Sequence, residues 1–349
     1  MKRYQALAAD LESAIRKGVL RPGDRLPSVR TASTSRGVSA STVFQAYYLL
    51  EARGLVRARE RSGYYVTEAG RVAPAQPPQP QQPSRPQAAS VSPAVDDLVF
   101  AVLEAPPDAR DPGLASPFPS PELFPFRQLG RAMAGAAQEF DPTTVRDGMP
   151  PGNASLLRHI VARYHADGVP LADGEVVVTN GALEALNLCL AALTRPGDAV
   201  IIECPAFYGA LQALERRGLK AVQVPTHPRD GVDVEAVERA IRRHRPKAAW
   251  LMTTFQHPLG SLMTPQRKRD LVGVLARHGV ALIEDDVYQE LFYGPQRPLP
   301  AKTYDEAGLV LHCSSFSKSL APGYRVGWVA AGRHAQALRR HKLTLSTMT

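Results

Sequence analysis

The chain is short of cysteine, with 3 in 349 residues, and Cys189, Cys204 and Cys313 are far apart with no CxxC spacing. That excludes a disulfide framework or a thiolate zinc site, predicts reduced and packed thiols, and leaves no metal site to expect. No apolar run approaches the roughly 20 residues of a bilayer span, so no membrane partner is expected. The opening residues MKRYQALAADLES place acids where a secretory signal needs an unbroken apolar stretch. This predicts a cytoplasmic protein. What is present is ordinary for a globular chain, 44% hydrophobic and 21% charged residues, while the length exceeds the roughly 250 residues at which a single core stops growing. At least two folded units are expected.

The net charge of +9 is unevenly spread. Residues 1–70 hold twelve Lys or Arg against six Asp or Glu, which is +6 of the total. A localised cationic module makes a polyanion the first partner to consider, because neutralising phosphates supplies most non-specific nucleic-acid affinity. Residues 71–95, RVAPAQPPQPQQPSRPQAASVSPAV, contain seven prolines and five glutamines. Such a segment cannot build a core and reads as an extended spacer. The organisation expected is a head over 1–70, a Pro/Gln-rich linker over 71–95 and a larger unit over 96–349.

Within the head, Tyr4, Leu7, Ala8, Leu11 and Ile15 recur at helical spacing, and Gly18 can stop that helix. Ser28 can cap a short second helix, although Thr31–Ser35 is a poor helix-forming run. Ser39 opens a third helix to about Ala52, with Val43, Ala46, Tyr47 and Leu50 on one face. Leu55–Ala58 and Gly63–Thr67 read as two strands around a basic turn, which completes a winged helix-turn-helix. The third helix then enters the major groove of double-stranded DNA. Ser39, Ser41 and Thr42 at its start can meet phosphates or base edges, and Gln45 can bond adenine. Arg30 faces phosphate, and Arg59 and Arg61 lie on the wing.

The run Gly18–Val66, with LRPGDRLPSVR, GVSASTVFQAYYLLEARGLV and SGYYV, resembles the GntR family of bacterial winged-helix repressors. The resemblance implies operator binding as a homodimer. It places the family's arginine after the Pro-Ser turn at Arg30, and its hydroxyl-rich recognition-helix start at Ser39, Ser41 and Thr42. Ala40 and Phe44 stand where several relatives carry base-reading arginines, so the operator sequence does not transfer.

In the larger unit, strand-like runs alternate with amphipathic helices: Val176–Thr179 with Ala182–Leu193, Ala199–Glu203 with Phe207–Arg216, Ala248–Thr253 with Pro265–His278, then Ala281–Glu284 and Leu309–His312. That rhythm predicts an α/β fold with a mainly parallel sheet. The segment LVLHCSSFSKSLAPGYRVGW runs from a strand into a Ser-rich turn holding Lys318. Only Lys220, Lys247, Lys268, Lys302, Lys318 and Lys342 follow the spacer, and Lys318 alone sits beside a strand end. A partly buried lysine next to a cation can condense with an aldehyde. Ser315, Ser317 and Arg325 are groups that gather round a phosphate dianion. In VVVTNGALEAL a helix starts just after Gly181, so amides and the positive dipole end point at an anion. In IEDDVY, Asp285 can keep a pyridine nitrogen protonated and Tyr288 can bond a ring oxygen, while Phe207 or Tyr208 in CPAFYG can stack on a ring. In this order they describe a cradle for pyridoxal 5′-phosphate.

The wording of these motifs resembles fold type I aminotransferases, of three-layer α/β architecture, from about Pro117 to the final residue. The resemblance implies that Lys318 binds the cofactor aldehyde, that Asp285 pairs with the pyridine nitrogen, that Tyr288 bonds the phenolic oxygen and that Phe207 stacks on the ring. Gly181, Ala182, Leu183, Ser315, Ser317 and Arg325 would surround the phosphate. A GntR head on such a unit resembles the MocR subfamily of pyridoxal-phosphate-dependent regulators. His257 in FQHPLG stands where relatives have an asparagine bonding the phenolic oxygen. The stretch RDGMPPGN lacks the tyrosine that relatives often send to a partner's phosphate, and family members continue past STMT into a small C-terminal domain. Three functions follow: a regulator sensing an amine or amino acid effector, a working aminotransferase with a DNA-binding head, or a DNA-binding protein whose second unit only dimerises. The basic head and spacer, which a metabolic enzyme does not require, favour the first.

Overall fold

A computed structural model describes residues 2–59, 62–67, 82–87, 89–104, 119–139 and 141–349. The chain divides into two compact units, residues 1–79 and 80–349.

The first unit contains three helices, α1 (Arg3–Arg16), α2 (Val29–Arg36) and α3 (Ala40–Ala52), and a hairpin of β1 (Val56–Arg59) and β2 (Gly63–Val66). Leu7, Ala8, Leu11 and Ile15 of α1 bury one stripe against Val43, Ala46, Tyr47 and Leu50 of α3, as the helical spacing dictates. The second helix forms despite its weak intrinsic propensity because its ends are fixed. Ser28 Oγ accepts from Thr31 N, Gly37 closes the helix in the left-handed region at φ +59°, and Ala32 packs into the core. Tyr47 donates its hydroxyl to Pro27 O at 2.8 Å, which ties α3 to the turn before α2. The hairpin pairs Val56 with Val66 and Arg59 with Gly63, and Glu51 Oε1 accepts from Ala58 N at 2.7 Å, anchoring the wing to α3.

In the second unit β3 (Ser90–Val91), α4 (Asp96–Glu104), α5 (Phe126–Gln138) and α6 (Ala154–Ala166) precede the alternating core. That core runs β4 (Val176–Thr179), α7 (Ala182–Leu193), β5 (Ala199–Cys204), α8 (Tyr208–Arg216), β6 (Lys220–His227), β7 (Gly231–Val232), α9 (Val234–His244) and β8 (Ala248–Leu251). It continues with α10 (Pro265–His278), β9 (Ala281–Asp285), β10 (Val310–Ser315), β11 (Gly327–Ala330) and α11 (Ala335–Leu345). The sheet order is β3-β6-β5-β8-β9-β10-β11-β4, with β7 paired to β6. Strands β6, β5, β8, β9 and β10 are mutually parallel, and β11 runs antiparallel to both of its neighbours. Strand alternation sorts the core onto two faces. Val200, Ile202, Trp250 and Ile283 pack with α7 and α8, whereas Ile201, Ala249, Leu251 and Leu282 pack with α9 and α10. The result is three layers.

Four strands escape a reading of the sequence, the two-residue β3 and β7 and the longer β6 and β11. β6 alternates from Val222 to His227 but carries Pro225 inside it, which argues against a central strand, and β11 is only GWVA, too short for a pattern. Of the segment read as spacer, residues 82–87 and 89–95 fall within the second unit and are tied to it at Ser84, at β3 and at Val95. Thr226 N donates to Ser84 Oγ at 3.0 Å, Val95 N donates to Glu215 Oε2 at 2.7 Å, and β3 pairs antiparallel with β6. Extended backbone with few donors suits the edge of a sheet. Residues 71–81 and 88 lie outside the described residues.

Candidate functional site

Five strands, β4, β5, β8, β9 and β10, deliver their carboxyl ends to one edge of the sheet, where ligands of open α/β folds bind. A cavity of about 170 Å³ opens there. Its walls come from the segment after each strand: Ala182 and Leu183 after β4, Phe207 after β5, His257 after β8, Asp285 and Tyr288 at β9, and Ser315, Ser317 and Lys318 at β10. Arg325 enters from the turn before β11. The structure thus brings together ten of the eleven residues singled out for the cofactor. Gly181, the eleventh, lies directly behind the cavity wall, where a Cβ would overlap the Arg325 guanidinium. Its φ of +83° also requires glycine.

The cavity floor carries a buried carboxylate. Asp285 is buried, and its Oδ2 accepts from Trp250 Nε1 at 3.3 Å. Among the described residues its Oδ1 has no hydrogen-bond partner. Burial raises its pKa to about 7, against the lowering effect of the Trp250 hydrogen bond. A buried carboxylate oxygen left over at a cavity floor is an acceptor for a ligand N–H. Lys318 is half-buried, its Nζ 5.9 Å from the centre of the Tyr288 ring. Burial first, and the Arg325 charge second, lower its pKa, so more of the amine is neutral and nucleophilic. Burial also pushes the Tyr288 phenol up to about 12, keeping it a hydrogen-bond donor.

Phe207 and His257 stand edge to face with ring centres 5.6 Å apart, and Phe207 and Tyr208 are 4.9 Å apart. A Cβ at Gly209 would run into the Phe207 ring, so the glycine lets that ring lie back. His257 has its pKa lowered by burial first and by Lys318 second. A neutral imidazole is therefore favoured, which can take part in hydrogen bonding at the asparagine-like position without adding charge.

The opposite end is built for an anion. Arg325 Nη1 donates to Ser317 Oγ at 3.1 Å, and Ser317 N donates to Ser315 Oγ at 3.4 Å. Arg325 itself sits in the left-handed region, φ +52°, a strained backbone of the kind concentrated at functional sites. Its Nη2 donates to Asn180 O at 3.4 Å. Asn180 N in turn donates to Glu184 Oε2 at 2.6 Å, and the same carboxylate oxygen accepts from Lys342 Nζ of α11 at 3.1 Å. Hydroxyls, a guanidinium and the amino end of α7 meet at one wall, the donor set of a phosphate dianion.

Several groups here were not visible in the sequence. Trp250 and Lys342 hold site residues in place but belong to no local motif, while Asn180 and Glu184 lie within VVVTNGALEAL, where nothing local marks their partners. Beside the floor, Asp286 turns away from the cavity, its Oδ2 lying 3.0 Å from His312 Nε2. His312 Nδ1 is 2.5 Å from Tyr164 Oη, which accepts from Trp328 Nε1 at 3.0 Å.

In the head, Arg30, Gln45 and Arg59 are exposed, as a DNA-facing surface requires. The Arg59 guanidinium lies 4.6 Å from the Tyr65 ring centre. Ser39 Oγ caps α3 by accepting from Thr42 N at 3.2 Å and lies 2.8 Å from Thr42 Oγ1 and 3.0 Å from Ser41 Oγ. Its hydroxyl therefore already serves the helix. Arg61 lies outside the described residues. Among the described residues no group of three or more His, Cys, Asp or Glu is placed to hold a metal, and no helix is long and apolar enough to cross a membrane.

Residues 127–347 match the family "Aminotransferase class I and II", and residues 3–66 match "Bacterial regulatory proteins, gntR family". The uncharacterized HTH-type transcriptional regulator YdcR of Escherichia coli K12 is 48% identical over 352 aligned positions, covering 99% of this chain and 73% of that protein. The multiple substrate aminotransferase of Thermococcus profundus superposes with a TM-score of 0.61 at 27% identity, over 67% of this chain and 60% of that one. LysN, the α-aminoadipate aminotransferase of Thermus thermophilus, solved with N-(5′-phosphopyridoxyl)-L-leucine, gives a TM-score of 0.59 at 31% identity, over 67% and 60%. The chain thus spans about three fifths of the length of these two enzymes.

Proposed function

Because the chain belongs to the aminotransferase class I and II family and carries a gntR-family winged helix, we propose that an amine or amino acid, captured at the cavity of the α/β unit, controls how the head binds its operator. The chain is a DNA-binding transcriptional regulator, and its fold implies pyridoxal 5′-phosphate as cofactor. The observation that carries the reading is the buried Asp285 Oδ1, without a hydrogen-bond partner among the described residues, at the floor of the cavity that Lys318 lines. A pyridine N–H is the ligand group that would satisfy that oxygen, and a half-buried lysine is the group that would take up an aldehyde.

The residues present fit the cofactor. Ser315, Ser317, Arg325 and the amino end of α7 would hold its phosphate, Phe207 its ring face, and Tyr288 with neutral His257 its phenolic oxygen. When bound, the cofactor supplies an electrophilic carbon that amines attack. Asp285 would keep a proton on the ring nitrogen, and Lys318, the amine placed to hold the aldehyde, would stand as a cation or base in a half-buried wall whenever an effector amine took that place. That change of charge and packing is the signal available to the rest of the protein. The operator is engaged by two heads of a cytoplasmic homodimer. Exposed apolar side chains on α4 and α5, among them Leu98, Val102, Phe126 and Met133, offer surface for a second copy to cover.

The test uses the full chain, loaded with cofactor, and duplexes it enriches from a random-sequence pool. Amino acids presented one at a time should change duplex affinity. Lys318→Ala should abolish the absorbance of lysine-linked cofactor and the effector response, and should leave effector-free duplex binding within about twofold. Retention of the effector response by Lys318→Ala sinks the proposal. The lowered pKa of Lys318 also suits a base, which supports a second reading as a working aminotransferase. Sustained conversion of amino and keto acids by the full chain would favour that reading.

A further inference from the structure

Helix α3, ASTVFQAYYLLEA, contains no lysine or arginine. One side of it is buried through Val43, Ala46, Tyr47 and Leu50. The other side exposes Ala40, Ser41, Phe44, Gln45 and Tyr48, positions that share one helical face by their i, i+1, i+4, i+5, i+8 spacing. Phe44 is 54% exposed and Tyr48 65% exposed. An outward phenylalanine forfeits much of the ~2 kcal/mol that its burial would contribute, so its place on this face needs a reason beyond folding.

The cations of the head lie elsewhere. Arg30 is on α2, Arg57 and Arg59 are on the wing, and all three are exposed. They can neutralise phosphates on both sides of a groove that α3 enters, so the charge complementarity comes from the rim and the base-facing surface is left uncharged. Guanine is read in the major groove by Arg or Lys at its O6 and N7 acceptors. The α3 face offers no such donor. It offers Gln45, whose amide fits adenine N6 and N7. Beside it are Phe44 and Ala40, apolar groups that fit the C5-methyl of thymine. Phe44, Gln45 and Tyr48 also border one groove with Tyr4 of α1 and Lys2, the residue that precedes that helix, so Lys2 supplies a cation at the edge of this surface.

We propose that Phe44 reads a thymine methyl in the operator, next to an adenine read by Gln45, so that each half-site has a core of A·T pairs. The inference rests on the DNA-binding role of the head and specifies what that head recognises.

The experiment enriches duplexes from a random-core pool with the full-length chain, then replaces single thymines of the enriched site by deoxyuridine, which removes only the methyl group. One thymine per half-site should show a loss of about fourfold in affinity on replacement, the effect of one buried methyl-sized group. Phe44→Ala should bind the thymine and uracil duplexes equally, and Phe44→Leu should retain part of the discrimination. Because Phe44 is half exposed, circular dichroism should report an intact head in both variants. Tolerance of deoxyuridine at every position by the unmodified protein overturns the inference, as does a penalty that persists in Phe44→Ala. If Phe44→Ala instead changes the mass of the protein in solution while leaving the methyl penalty intact, the face is a contact between copies and the inference fails. A pool from which nothing is enriched removes the DNA-binding role itself, and the inference with it.

Discussion

The head and the α/β unit present their functional groups in opposite ways. Arg30, Gln45, Phe44 and Arg59 face solvent on a scaffold whose buried residues, among those described, are apolar apart from the Tyr47 hydroxyl. Asp285, Lys318, Tyr288 and His257 are buried or half-buried, and burial is the largest cause of the pKa shift in each. A long polyanion is met by many exposed charges that salt screens, and removing any one of them costs little. Bond-making at a small ligand needs groups whose protonation is set by desolvation, so a single substitution there can be decisive. The head is therefore distributed and tolerant, and the cavity concentrated and brittle.

The loss of effector response expected for Lys318→Ala is the strongest form of this contrast, since one side chain carries it. Next in size, Leu50→Ala tests the scaffold of the head. Leu50 is fully buried, and its truncation should cost about 3 kcal/mol. DNA binding should fail at temperatures where the absorbance of bound cofactor persists. Simultaneous loss of both would break the comparison by showing that the units unfold together.

The third test uses pH. Glu203 is buried at the end of β5, where it accepts from Met252 N at 3.1 Å, and burial raises its pKa to about 8 against an ordinary 4.5. Between those two values the folded chain holds a proton that the unfolded chain has released, so this carboxyl lowers stability as pH rises from 4.5 to about 8. Glu203→Gln should remove that fall, leaving the variant a few kcal/mol more stable than the parent at about pH 9 and similar at about pH 5. Calorimetric melting of the α/β unit at the two pH values measures it, and an unchanged difference between them would show that Glu203 titrates normally. The smallest effect belongs to the head. Arg59→Ala should reduce the slope of log affinity against log salt by about 1, with little change in sequence preference.

The head was nearly all legible, because its helices are amphipathic and its caps local. Ser28 and Ser39 cap the helices that their positions suggested. The cavity was legible in its motifs, since glycine turns, Lys318 and the Asp285–Tyr288 pair each sit within a few residues of a strand end. The groups that support those motifs were not. Trp250 reaches Asp285 only because β8 and β9 are neighbours with Trp250 opposite Ile283. Lys342 reaches Glu184 only because α11 packs on α7.

IEDDVY contains three consecutive acids, and the choice among them shows where the boundary falls. The amino-acid order alone determined that carboxylates would stand at this strand end, that a lysine would follow the next strand, and that a basic winged helix would precede them both, and the family's motif singled out Asp285. The physical reason for that choice lies in the sheet. Glu284 accepts from Ala301 N and Thr253 Oγ1, Asp286 is occupied with His312, and Asp285 lines the cavity. Successive side chains on a strand point to opposite faces, and only the packing of helices on those faces leaves one of them open to a ligand.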